Sequence, residues 1–70
     1  MALYINHVYT TTARVNYYRN DKLLDINDTV CSTMDGIAEH MCEVLNRNHC
    51  ESADAIDVNT GEIIIQIERT

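Results

Sequence analysis

Hydrophobic and polar positions alternate along two successive runs near the start of the chain. The first run covers residues 3–10 and the second covers residues 13–18, and both are rich in aromatic and β-branched side chains. A period of two is typical of β-strands. We interpret Thr10-Thr11-Thr12 as the loop of a hairpin between them, and the alternative is one long bent strand.

A tight turn is predicted directly after the second run. Asn20-Asp21 suits it, because both residue types tolerate the left-handed backbone that short hairpin turns require. Leu23, Leu24 and Ile26 then offer a short third strand.

The middle of the chain changes to a helical period. At about 100° per residue, one arc collects the apolar side chains and the opposite face collects polar ones. The end near Asn48 is well defined, whereas the start is not: Asp28 or Ser32 suits the N-cap, and the segment from Ser32 to Asp35 has the spacing of a capping box. The apolar arc comprises Val30, Met34, Ile37, Ala38, Met41, Val44 and Leu45, and the polar face comprises Asp35, Glu39, Glu43 and Asn46.

A second hairpin is predicted at the end of the chain. Residues 55–58 lead into Asn59-Thr60-Gly61-Glu62, where glycine suits a left-handed loop position. Alternation in the last strand puts Ile63, Ile65 and Ile67 on one face and Ile64 on the other.

These elements predict a single α+β domain over residues 1–70. We expect an antiparallel sheet of four or five strands in the order β-β-(β)-α-β-β, with one helix on one face. The uncovered face would carry Arg14 with Tyr4, Tyr18 and Ile64, and we assign the last three to self-association as a homodimer. An edge strand is another route to a dimer, and a solvated face with scattered tyrosines is the plain alternative.

Charge is distributed unevenly along the 70 residues, whose formal net charge is −6. Ten of the eleven acidic residues follow residue 22, where only Arg47 and Arg69 oppose them, so that region has a formal charge of −8. The first 22 residues have three basic side chains against Asp21. A field of one sign on a small protein selects partners of the opposite sign.

Candidate chemistry is sparse. His40, Cys42, His49 and Cys50, with Cys31 as a fifth member, are of the types that zinc prefers, but they lack the C-x-x-C or H-x-x-x-H spacing of zinc sites. We therefore interpret the cysteines as buried structural residues and keep a small zinc-binding module as an alternative function. No phosphate loop or nucleophile motif indicates an enzyme, and we predict neither catalysis nor a cofactor.

The acidity favours a binding function. At four-residue intervals, helical carboxylates lie roughly 6 Å apart, near the approximately 7 Å between phosphates along a DNA strand. We therefore expect an inhibitor or decoy of the DNA-mimic kind that blocks a basic, nucleic-acid-binding protein surface, and direct nucleic-acid binding is disfavoured by the charge. A structural subunit that acts through homo-oligomerisation is the alternative. The expected partner-binding residues are Asp35, Glu39, Glu43, Asp54, Asp57 and Glu62.

In size, acidity and lack of catalytic motifs, the chain resembles the small proteins with which bacteriophages inhibit host or defence factors. No stretch approaches the roughly 20 apolar residues of a membrane span, and the amino terminus lacks the pattern of a signal peptide. An odd number of cysteines without a dense framework favours reduced thiols. We expect a cytoplasmic protein with no membrane partner, in the host cytoplasm if the chain is viral.

Overall fold

The computed structural model describes residues 9–69 and contains five strands and one helix. The strands are β1 (Thr11–Arg19), β2 (Lys22–Leu23), β3 (Asp28–Ser32), β4 (Ser52–Asp57) and β5 (Ile63–Glu68), and the helix is α1 (Met34–Asn48). All strand pairs are antiparallel. The predicted α+β fold is therefore confirmed, in the order β-β-β-α-β-β. Within residues 9–69, no helix is long and apolar enough to cross a bilayer.

β1 is an interior strand that pairs with three other strands of the sheet. One of its edges pairs with β4, and β5 extends the sheet beyond β4. Its other edge pairs with β3 near its start and with β2 near its end. Between β2 and β3, residues 24–27 stand opposite Asn16 and Tyr17, so the edge strand bulges outward at this point.

The first predicted hairpin needs correction. The predicted strand over residues 3–8 lies outside the described residues, and Thr11 and Thr12 are not a loop but the first two residues of β1. They pair with Ser32 and Cys31 of β3, because the neighbouring strand extends that far. The turn at Asn20-Asp21 is confirmed, since both residues have positive φ (53° and 62°) between the paired residues Arg19 and Lys22. Two such residues are typical of the turn that matches strand twist.

The predicted third strand is also misplaced. β2 contains only Lys22 and Leu23, and Leu24 and Ile26 lie in the bulge, where they pack against the core. β3 was not predicted as a strand, because Val30 also fits the helical arc; in the structure it pairs with Ala13 in the sheet.

The N-cap of the helix lies one residue after Ser32, the later of the two predicted caps. Thr33 is the N-cap, and its side-chain oxygen accepts a hydrogen bond from the backbone N–H of Gly36 at 3.1 Å. Neither Asp28 nor Ser32 caps the helix, because both belong to β3. The helix ends as predicted at Asn48, after which His49 takes a left-handed conformation. Such a residue is a common helix C-terminus, although glycine usually supplies it.

One face of the sheet is covered by α1, and we call the other the open face. The core between helix and sheet combines alternate residues of β1 and β4 with the apolar side of α1. The open face carries Arg14, Asn16 and Tyr18 of β1, since side chains alternate along a strand. The buried core residues are Ala13, Val15, Tyr17, Ile37, Met41, Val44, Leu45, Cys50, Ala53 and Ala55.

A β-bulge in β5 overturns the predicted alternation of its isoleucines. Ala55 pairs with Ile65, whereas Ile56 pairs with Ile63, so Ile64 is an additional residue in the strand. Ile64 packs against the core together with Ile65 and Ile67, and Ile63 is exposed on the open face. The loop before β5 is as predicted, with Gly61 at a φ of 77°.

Candidate functional site

The outer face of α1 carries three predicted partner-binding carboxylates, Asp35, Glu39 and Glu43. All three side chains are exposed. Within residues 9–69, none of them forms an ion pair, although Arg47 follows Glu43 by one helical turn. Successive carboxylates are separated by about 6 Å of helix rise. Because the opposite side of the helix is buried on the sheet, this acidic face has a rigid support.

The other three predicted carboxylates do not join this array. Asp54 is on the open face, between the buried Ala53 and Ala55, and its Oδ1 accepts a long hydrogen bond (3.5 Å) from Gln66 Nε2. Asp57 ends β4 and accepts a hydrogen bond from the Asn59 backbone N–H at 2.8 Å. Glu62 is exposed just before β5. Asp54 is therefore on the opposite side of the sheet from the helix row, and Asp57 and Glu62 lie near the loop between β4 and β5.

The residues predicted for self-association are also separated. Tyr4 lies outside the described residues, and Tyr18 is half-buried on the open face. Ile64 packs against the core because of the bulge in β5. Alternation predicted Ile64 on the uncovered face and is wrong at this position.

Three polar side chains that the sequence did not connect form a cluster between helix and sheet. The Tyr17 hydroxyl donates a hydrogen bond to Asp28 Oδ2 at 2.5 Å. His40 Nε2 lies 2.8 Å from the same oxygen and 3.0 Å from Asp28 Oδ1. The cluster therefore joins β1, β3 and α1 through one carboxylate, and His40–Asp28 is the single ion-pair contact found among residues 9–69.

The environment of Tyr17 disfavours its ionised form. The residue is fully buried, and this burial raises the pKa of its hydroxyl well above the ordinary value of 10.0. The hydrogen bond to Asp28 and the negative charge of that carboxylate raise the pKa further. A buried tyrosine hydroxyl needs a polar partner, and Asp28 supplies it. The cluster is consequently a structural connection whose tyrosine stays protonated.

No local sequence signal would have identified this cluster. Tyr17 fits an alternating strand, Asp28 resembles a helix cap, and His40 is isolated on a helix. The sheet register places Asp28 opposite Val15, beside Tyr17, and α1 then brings His40 over it. Only the long-range arrangement reveals their contact.

The cysteines do not share one environment. Cys50 is buried, as predicted for a structural cysteine, whereas Cys31 in β3 and Cys42 in α1 are exposed. The expectation that all three are buried is therefore wrong. No group of three or more His, Cys, Asp or Glu side chains within residues 9–69 is arranged to hold a metal ion.

Two shallow depressions on the open face share Arg14 and Asn16. One, of about 430 Å³, extends toward Ile56, Val58 and Gly61. The other, of about 450 Å³, extends along the bulge between β2 and β3. Arg14 therefore lies at the centre of the open face, between two concave regions.

Comparisons with known proteins add no family to this description. The chain matches no protein-family model, no curated protein and no solved structure.

Proposed function

We propose that this chain is a non-enzymatic acidic binding protein that blocks a basic, nucleic-acid-binding protein surface, and that the outer face of α1 makes the contact. The observation that carries the proposal is the row formed by Asp35, Glu39 and Glu43, which are exposed and have no ion-pair partner among residues 9–69. A charge without an internal partner is free to pair with a cation of another molecule. The net charge of −6 adds a field of the same sign around the row.

The spacing of the row supports a decoy that imitates nucleic acid. Carboxylates about 6 Å apart along a helix axis resemble the approximately 7 Å interval between phosphates of one strand. A basic groove that binds phosphates would meet charges of the same sign at a similar interval. Such contacts increase the association rate and specificity more than they increase affinity, and salt weakens them.

Neutralisation of the row tests this function. The triple variant Asp35→Asn, Glu39→Gln and Glu43→Gln removes three charges from α1. The matched control, Asp25→Asn, Glu51→Gln and Glu68→Gln, removes the same three charges from exposed positions outside the helix. Comparison of the two variants separates the local row from the total charge.

The assay uses immobilised wild-type and variant chains in nuclease-treated bacterial lysate, followed by mass spectrometry and by competition of a recovered protein against a DNA duplex. We expect wild type and control to retain a basic nucleic-acid-binding protein and to displace DNA from it. The helix variant should bind this protein at least about 10-fold more weakly. Equal retention of this protein by the helix variant, or binding of the DNA duplex by the immobilised chain itself, would refute the proposal.

A further inference from the structure

Arg14 and Asp54 are opposite charges on the open face that do not pair with each other. The exposed Glu68 shares this face, because Ser52 pairs with both Tyr18 and Glu68. Arg14 in β1 is directly opposite Ile56, and Asp54 in β4 is directly opposite Asn16, so the two charges are diagonal neighbours. Diagonal neighbours in a sheet are separated by about 7–8 Å. Within residues 9–69, Arg14 forms no ion pair or side-chain hydrogen bond, and Asp54 has only the long bond from Gln66.

Large apolar side chains surround these charges. Leu23 pairs with Tyr18, and Ile63 pairs with Ile56, so both share the open face. Val58 directly follows β4, and its backbone N–H donates a hydrogen bond to the Thr12 carbonyl at 3.1 Å. The pairing of β4 with β1 therefore extends to Val58, whose side chain lies on the same face as that of Ile56. Leu23, Val58 and Ile63 are each more than half exposed. Arginine is enriched among the residues that contribute most of the binding energy of an interface, and the contacts around such a residue exclude water from it.

We infer that the open face binds a second copy of this chain, face to face about a two-fold axis, with Arg14 of each copy paired to Asp54 of the other. In a two-fold interface, if one residue contacts a second, the second contacts the first in return. Arg14 and Asp54 meet this requirement. A half-turn about an axis that lies between the two faces, midway between these residues, places Arg14 of each copy over Asp54 of the other. The surface is thus complementary to itself in charge, and the apolar side chains around the pair become buried.

The distribution of the remaining charge is compatible with this arrangement. The acidic row of α1 lies on the far side of the sheet, so the two rows of a dimer point away from each other. This separation weakens the repulsion between the two acidic rows in a dimer of chains whose net charge is −6. The inference does not depend on the proposed function, since none of the helix carboxylates takes part in the interface.

Charge reversal provides a direct test. Arg14→Asp places Asp against Asp54 twice in a homodimer, and Asp54→Arg places Arg against Arg14 twice. Each single variant should raise the dimer Kd at least about 100-fold, because two attractive pairs become repulsive. A mixture of the two variants restores both opposite-charge pairs. It should form a heterodimer with an affinity near that of the wild-type homodimer.

Sedimentation velocity over a range of concentrations measures each species, and native mass spectrometry of an isotope-labelled mixture identifies the heterodimer. Arg19→Asp is the matched control, since Arg19 is exposed and alternation assigns it to the other side of β1. It should dimerise like wild type. The neutral variants Arg14→Gln and Asp54→Asn should show a smaller loss, which provides a second measurement if a reversal unfolds the chain.

Several results would overturn the inference. A wild-type chain that remains monomeric at all concentrations would do so, as would single reversals that do not restore association when mixed. Single-stranded DNA is another candidate occupant of a face with arginine and tyrosine. NMR shifts of open-face amides on addition of an oligonucleotide to monomeric wild type would assign the face to nucleic acid instead.

Discussion

Asp28 of β3 and His40 of α1 are joined by a carboxylate–imidazole contact of 2.8 Å. The same Asp28 oxygen accepts the hydroxyl of Tyr17. One side chain therefore satisfies the polar group of a core tyrosine and also attaches the helix to the edge of the sheet. The first two predictions concern this cluster.

Asp28→Asn should destabilise the protein by about 1–3 kcal/mol. The asparagine side chain keeps one oxygen that can accept a hydrogen bond from Tyr17 or His40. It lacks the negative charge that the Asp28 carboxylate presents to both residues. The measurement is the free energy of unfolding in urea at neutral pH. Asp25→Asn is the control, because Asp25 is exposed in the neighbouring bulge, and it should change stability by less than about 0.5 kcal/mol. Equal effects of the two substitutions would contradict a special role for Asp28.

Tyr17 predicts a loss of stability in alkaline solution. Burial holds the pKa of its folded-state hydroxyl above the unfolded-state value of about 10. Above that pH, the unfolded chain releases the proton while the folded chain retains it. The unfolded state then binds fewer protons, so the free energy of unfolding falls as pH rises. The contribution is complete below about pH 10 and is lost progressively above it.

Urea unfolding between neutral pH and about pH 11 measures this slope. Tyr17→Phe should be less stable than wild type at neutral pH and should lose less stability as the pH rises. Tyr18→Phe is the matched control, since it alters a tyrosine on the open face and should leave the slope of wild type unchanged. A Tyr17→Phe slope equal to that of wild type would assign the alkaline loss to other groups.

At Gly36, we expect alanine to lower the stability of the protein, whereas alanine usually raises it when it replaces a glycine in a helix. Replacement of a helical glycine by alanine normally stabilises a protein by roughly 0.5–1 kcal/mol. Here, an added Cβ would meet Ser32 Oγ at 2.1 Å and Ser32 Cβ at 3.1 Å. We expect Gly36→Ala to destabilise the chain by about 1 kcal/mol, since part of the N-terminal turn must move.

A double-mutant cycle isolates the cause. In a Ser32→Gly background the two Ser32 atoms are absent, and the next contact of the added Cβ is with Thr33 Oγ1 at 3.3 Å. Gly36→Ala should then raise the free energy of unfolding instead of lowering it. Chemical denaturation of the four chains gives the two differences. The same loss in both backgrounds would show that Ser32 is not responsible.

Local chemistry explains which elements the sequence could predict. Turns with positive φ have strong residue preferences, so the turns at Asn20-Asp21 and Gly61 were predictable from the residue types at these positions. The apolar arc of α1 was equally clear from its helical period. In the structure, most residues of this arc are buried against the sheet. The expected order of elements along the chain, β-β-(β)-α-β-β, followed from these patterns and was confirmed.

The errors arose where tertiary pairing overrides local preference. Val30 fits the helical period and Ser32 resembles an N-cap, yet both belong to β3, where Val30 pairs with Ala13 and Ser32 pairs with Thr11. Ile64 is the additional residue of the β-bulge, and three consecutive isoleucines give no sequence signal of a bulge. Its side chain was therefore assigned to the wrong face. The Tyr17–Asp28–His40 cluster depends on both the register of β3 and the docking of α1, neither of which is a local property.

The interior position of β1 has a consequence for the order of events during folding. One edge of β1 pairs with β2 and β3, which follow it directly along the chain. Its other edge pairs with β4 (Ser52–Asp57), which follows only after the helix. Closing such a long segment carries a larger entropic cost than closing the hairpin. We therefore expect the pairing of β1 with β2 and β3 to form first, which leaves the edge of β1 toward β4 unpaired for a time. Arrival of β4 ends the interval in which another chain could occupy that edge.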